Sequence, residues 1–169
     1  MDQLSVDWTQ FRKRIHIATP AEQVYAAWAV PEKLETWFLE SARYERPGGT
    51  DLPGNRRLEQ GDHFTWKWNN WDITQEGEVL TANGTDTVAF TFGVGGVVTV
   101  TLREQKGQTE LTLVQTEVPT DDTSKHQIYV GCATAWSFWL ANLKAWLEHG
   151  ITLHAKGLAQ EDTADLVNS

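Results

Sequence analysis

Trp28, Trp37, Phe64, Trp66, Trp68, Phe90, Phe92, Tyr129 and Trp136 are the side chains from which a site could be built, and the chemistry they offer is noncovalent. Large ring faces take a planar or lipid-like molecule out of water. Their spacing supports a shared surface. Phe64, Trp66 and Trp68 alternate, as do Val88, Phe90 and Phe92, so each set falls on one face of a strand. Trp136 and Leu140 lie one helical turn apart on a common stripe. The same rings also serve as plain core, where each contributes about 1.5–3 kcal/mol by burial. Both uses are open at this point. On the last strand Leu111, Leu113, Gln115 and Glu117 share a face, which turns Gln115 inward. A buried amide needs a partner, and that partner is either a ligand, which it would orient, or a neighbouring side chain or water. Glu117 points into the same interior or lies at its rim.

Reactive chemistry has weaker support. His16, His63, His126, His149 and His154 have no metal-ligand spacing with one another or with a carboxylate, so no metal site and no cofactor is expected. Cys132 is the only cysteine, which excludes an intrachain disulfide and places a thiol on an apolar helix stripe with no base beside it. No nucleophile elbow or phosphate-binding glycine loop occurs, and Gly93 to Gly96 reads as a turn. Asp72, Glu76 and Glu78 are available for a carboxylate pair, and Arg56 and Arg57 sit in a loop where they either meet an anionic group or are solvated.

The element that must position the rings is a long helix from Ser124 to Gly150. Tyr129, Ala133, Trp136, Leu140, Leu143 and Leu147 form one stripe at steps of four and three, and Ile128, Cys132, Trp139 and Trp146 form a second beside it. Such a helix is apolar over more than the face a surface helix hides, so the rest of the chain must wrap it. Ser124 with Gln127 has capping-box spacing, and Gly150 suits the left-handed residue after the last turn. Phe138, on the other side, needs cover from the segment around Trp8 or from a second subunit.

Before that helix the chain alternates over Phe11 to Ala18, a strand. Thr19, Pro20 and Glu22 mark the cap of a short helix to about Ala29, and Pro31 starts a second to Phe38. Ser41 to Arg46 reads as a strand, followed by a loop rich in glycine and proline to Gly61. Strands are then expected at Asp62 to Trp68, Ile73 to Thr81, Thr85 to Phe92, Val97 to Glu104 and Gln108 to Val118. Asn83-Gly84 and Lys106-Gly107 argue for hairpins, hence an antiparallel meander. The expectation is one α+β domain over residues 11–150 with about seven strands, and a tail over residues 151–169 that is ordered only if a partner or second copy holds it.

The 169 residues suffice for one domain, and 40% hydrophobic with 22% charged residues is the composition of a soluble globular protein. The net charge of -9 disfavours nucleic acid and anionic membrane surfaces. No apolar run spans a bilayer and Met1 to Asp7 lack a signal-peptide pattern, so a cytoplasmic location is the default.

Ile15-His-Ile-Ala-Thr-Pro-Ala-Glu-Gln-Val24, Trp28 and Pro31-Glu-Lys-Leu34 with Trp37-Phe38 resemble the opening of the START-like (SRPBCC) superfamily, in the branch related to the activator of the heat-shock chaperone ATPase. Gly61-Asp-x-Phe64, Gly77-Glu-Val79 and the helix Trp136-x-x-x-Leu140-x-x-Leu143-Lys144-x-x-Leu147-Glu148 are similar to its later segments. The resemblance implies a helix-grip fold, a curved antiparallel sheet around a long C-terminal helix, with a cavity that in many relatives takes an apolar small molecule or lipid. It implies a chaperone as a second class of partner. Eukaryotic co-chaperones of this branch carry a further N-terminal chaperone-binding domain, whereas ten residues precede the first strand here, so that attachment is expected to be weak. Cavity-based enzymes also occur in the superfamily. The leading expectation is a binding protein whose ligand meets the nine rings together with Gln115 and Leu140; a homodimer is compatible with it.

Overall fold

The computed structural model describes residues 5–169. Its sheet has eight antiparallel strands in the order β1-β8-β7-β6-β5-β4-β2-β3: β1 (Phe11–Ile17), β2 (Ser41–Arg46), β3 (Thr50–Asp51), β4 (His63–Lys67), β5 (Thr74–Ala82), β6 (Thr87–Thr91), β7 (Val97–Gln105) and β8 (Gln108–Thr116). One strand exceeds expectation. β3 is a two-residue edge inside the glycine-rich loop, paired Glu45 to Asp51 and Arg46 to Thr50. That loop is tied down further by the fully buried Asp62 carboxylate, which accepts from Arg46 Nη1 at 3.1 Å and from the Glu59 amide at 2.7 Å. β5 slips register against β6 between Val79 and Thr81, a bulge that bends the sheet at its middle.

The short helices α1 (Ala21–Ala29) and α2 (Pro31–Trp37) follow β1. No capping box forms at α1. Thr19 is buried with its carbonyl taking the Thr109 hydroxyl at 2.7 Å, and the free Ala21 amide is met from across the sheet by Glu104 Oε2 at 2.8 Å. α2 begins at Pro31, whose missing N–H costs nothing in a first turn.

The long helix is one rod in three parts. α3 (Asp122–Ser124) passes through a π-helical turn, Lys125–Val130, into α4 (Gly131–His149). Its cap is Asp121, whose carboxylate accepts the Ser124 amide at 3.0 Å, three residues earlier than the Ser124 cap expected from spacing. At the other end Gly150 is left-handed, with φ 69°, as anticipated. The Glu148 carboxylate accepts from the Ala18 amide at 2.6 Å, and Lys144 donates to the His16 carbonyl at 2.8 Å, so the end of the rod is pinned to β1.

The tail also departs from expectation, because the body of the domain itself holds it. Asn142 is fully buried on α4; its Nδ2 donates to the Trp37 carbonyl at 2.5 Å and its Oδ1 accepts the Leu153 amide at 2.6 Å. Those two bonds fix the amide's orientation. His154 Nδ1, 3.1 Å from the same Nδ2, must therefore accept, which puts the ring's proton on the buried Nε2 and requires a neutral imidazole. Burial first, and the Lys156 charge second, hold the His154 pKa below its ordinary 6.5. The unfolded segment then binds more protons than the docked one as pH drops through about 6.5, so the stability that His154 lends to docking is fully present above that pH and declines progressively below it. Hydrogen-exchange protection of the Leu153 amide, corrected for intrinsic rate, is expected to fall between pH 7.5 and 5 while that of the helix core stays constant. Equal protection at both pH values would show that His154 does not govern the tail.

Candidate functional site

The space between sheet and rod is filled by aromatic rings. Trp28 meets Trp37 edge-on at 4.9 Å, Phe64 stacks on Trp66 at 4.1 Å, Trp66 meets Phe90 at 5.1 Å, and Trp136 stacks on Phe38 at 5.2 Å and lies 5.6 Å from Phe92. Trp28, Trp37, Phe64, Trp66, Phe90, Trp136 and Leu140 are all buried in this cluster, and Phe92 is half-buried against it. Gln115 is fully buried and has two protein partners: Trp136 Nε1 donates to its Oε1 at 2.9 Å, and its Nε2 donates to the Gly95 carbonyl at 2.9 Å. Glu117 leaves the alternation at φ 60° and is exposed, while Val118 takes the buried place.

Tyr129 packs at the margin of the core, 4.9 Å from Trp8 and 5.3 Å from Phe11, and makes no ring contact with Trp136. The cause is the π turn, which inserts an extra residue's rotation and moves the residues before Gly131 off the stripe they would share with Trp136. Trp8 therefore meets Tyr129, while Phe138 packs beside Trp139 at 5.1 Å.

An apolar cleft of about 440 Å³ opens where the β4–β5 turn faces the first turns of α4. One wall is Trp68, Asn69, Trp71, Ile73 and Gln75; the other is Gln127, Gly131, Cys132, Ala135 and Trp139, and Ser169 of the tail also borders it. Of the rings singled out in the sequence, Trp68 is the one that lines it. The walls are braced from behind, since Phe38 lies 4.9 Å from Trp68 and 5.5 Å from Trp139, both edge-on. Trp71, Ile73 and Gln75 follow a turn in which Asn70 is left-handed at φ 65°, and nothing in their spacing signals a shared surface with Cys132 and Ala135. The available signal is two apolar side chains, Trp71 and Ile73, next to a turn, with Ile73 still 48% exposed after folding.

Among the described residues the cleft walls carry no charged side chain, and Cys132 supplies the one ionisable side chain, its thiol pushed up by burial with Gln115 partly opposing. A raised thiol is a poor nucleophile. By contrast, a hollow on the outer face of the sheet is lined by His16, Arg103, Lys106 and Glu110, with Arg14 and His16 paired to Glu110. Among the described residues no group of three or more His, Cys, Asp or Glu side chains could hold a metal ion, and no helix is long and apolar enough to cross a membrane. The cleft is suited to holding a molecule through surface contact rather than to acid–base or metal chemistry.

Among solved structures the chain is similar to protein SSP2350 from Staphylococcus saprophyticus, at 24% identity over 86% of this chain and 96% of that one, with a TM-score of 0.68. The Aha1 dimer from Colwellia psychrerythraea is similar at 18% identity over 83% of this chain and 97% of that one, TM-score 0.64. CalU16 from Micromonospora echinospora is similar at 17% identity over 85% and 76%, TM-score 0.62. These likenesses establish the fold. No curated protein matches the sequence. The family profile described as activator of Hsp90 ATPase homolog 1-like protein matches residues 18–148, from the end of β1 to the last turn of α4, and the chain belongs to that family.

Proposed function

We propose that this family member is a binding protein for an apolar small molecule, held in the cleft between the β4–β5 turn and α4. The observation that carries the reading is an apolar recess walled by three tryptophans, whereas three further hollows of the described residues are lined largely by polar and charged side chains. Trp68, Trp71 and Trp139 supply ring faces for a planar group. Trp28, Trp37, Phe64, Trp66, Phe90, Phe92, Trp136, Leu140 and Gln115 form the packed interior behind them, and Tyr129 packs on Trp8 and Phe11 at the same end of the rod. Because Phe38 braces both tryptophan walls, the recess needs little reorganisation to accept a ring.

Naphthalene titrated into the protein is expected to shift the indole N–H resonances of Trp68, Trp71 and Trp139. Ala135 is exposed on the cleft wall, so Ala135→Trp fills the recess without disturbing the core and is expected to abolish those shifts. Unchanged spectra in the wild-type protein would remove the reading. A second reading, contact with another protein, is supported by Ile151, Leu153 and Val167, apolar tail residues left 53%, 45% and 82% exposed, and by the likeness to the Aha1 dimer. A single-chain mass by light scattering, together with a chaperone ATPase rate unaffected by the protein, would remove that one.

A further inference from the structure

The turn that forms one wall of the cleft is bonded to the tail. Between the end of β4 at Lys67 and the start of β5 at Thr74, Asn70 Nδ2 donates to the Ala155 carbonyl at 2.8 Å and Asn70 Oδ1 accepts the Leu158 amide at 3.0 Å. The Asp72 amide donates to Gln160 Oε1 at 3.1 Å. Asn70 sits between Asn69 and Trp71, which line the cleft, without lining it itself. The same stretch of tail also meets the opposite wall. The Leu153 amide donates to Asn142 Oδ1 at 2.6 Å, and the His154 ring lies 5.5 Å from Trp139. Asn168 closes this stretch on itself: its Nδ2 donates to the Leu153 carbonyl at 3.0 Å and its carbonyl accepts the Ala155 amide at 2.8 Å, beside Ser169 at the margin of the cleft.

Resting on the binding reading above, we infer that residues 153–160 are a strap that sets the spacing of the two cleft walls, with Asn70 as the positioning residue, so that strap docking and occupancy of the cleft by an apolar ring favour one another. Phe38 braces Trp68 and Trp139 from behind, whereas Trp71 is carried by the turn that the strap holds. With the strap undocked, a ligand must order that wall as it binds and loses affinity accordingly. The coupling is reciprocal: the factor that a docked strap adds to ligand affinity is the factor that a bound ligand adds to docking.

The test titrates naphthalene into the wild-type protein and two variants, followed at the indole N–H resonances. Asn70→Gly removes both side-chain bonds to the strap, while glycine readily keeps the left-handed φ of 65°. Gln160→Ala acts from the strap side, at an exposed residue outside the cleft. Each is expected to weaken naphthalene binding about threefold to tenfold. In the wild-type protein, saturating naphthalene is expected to slow hydrogen exchange of the Ala155 and Leu158 amides by a similar factor. That measurement needs no substitution and decides the matter if a variant fails to fold. Wild-type affinity in both variants, with exchange at Ala155 and Leu158 unmoved by naphthalene, would overturn the coupling while leaving apolar binding intact. Tighter binding by the variants would also overturn it, since the tail would then compete for the cleft. No binding of naphthalene to the wild-type protein would remove the binding reading and this inference with it.

Discussion

Trp136→Ala is expected to lower stability by about 3–5 kcal/mol, a large part of the net stability of a domain of this size. Trp136 is 2% exposed and touches Phe38, Phe92 and Trp28 at ring separations of 5.2, 5.6 and 6.0 Å, so its removal opens a void bounded by rigid rings that cannot collapse into it. The deletion also takes away the donor on Gln115 Oε1 and leaves a buried acceptor unpaired. Trp136→Phe separates the two contributions, since it keeps most of the ring and loses only the N–H. Urea denaturation with an unchanged m-value would measure both. A loss below about 1 kcal/mol for the alanine variant would show that the ring is not a central packing group.

Gly96→Ala is expected to cost more than about 4 kcal/mol or to prevent folding. Gly96 joins β6 to β7 with φ 87°, and its carbonyl accepts the Phe92 amide at 2.7 Å. A Cβ there would overlap the Thr116 carbonyl oxygen and lie 2.8 Å from that of Glu117. Both obstacles are backbone, so no rotamer change relieves them, and β7 would have to part from β8 beside the Gln115–Gly95 bond. Gly107→Ala is the control. Gly107 is also left-handed, at φ 73°, but a Cβ there meets nothing within 4 Å, so it should lose only the conformational cost of about 1–2 kcal/mol. Melting temperatures that place the two variants together would mean that the close approach at Gly96 is not rigid.

Much of this architecture is visible in local patterns. Strand alternation locates β4 to β8 within a few residues, Pro31 and Gly150 mark helix ends, and Asn83-Gly84 and Lys106-Gly107 mark hairpins, because each signal depends on neighbours a few residues away. Capping was less legible. Ser124 has the right spacing for a cap, but Asp121 takes the role because the helix starts one turn earlier, and at α1 a carboxylate 83 residues distant meets the amide that a local side chain was expected to serve.

The chain's pattern established the kind of molecule this is: a curved antiparallel sheet around an aromatic rod, in a recognisable family. It could not establish where empty space would be left. Trp66 and Trp68 share a face by alternation, yet Trp66 is 1% exposed in the packed interior while Trp68 borders the cleft. What separates them is the reach of a helix about seventy residues further on, together with a left-handed Asn70 that turns Trp71 and Gln75 toward it. A recess is what remains after distant segments pack imperfectly, and periodicity along one segment carries no record of how closely another will approach.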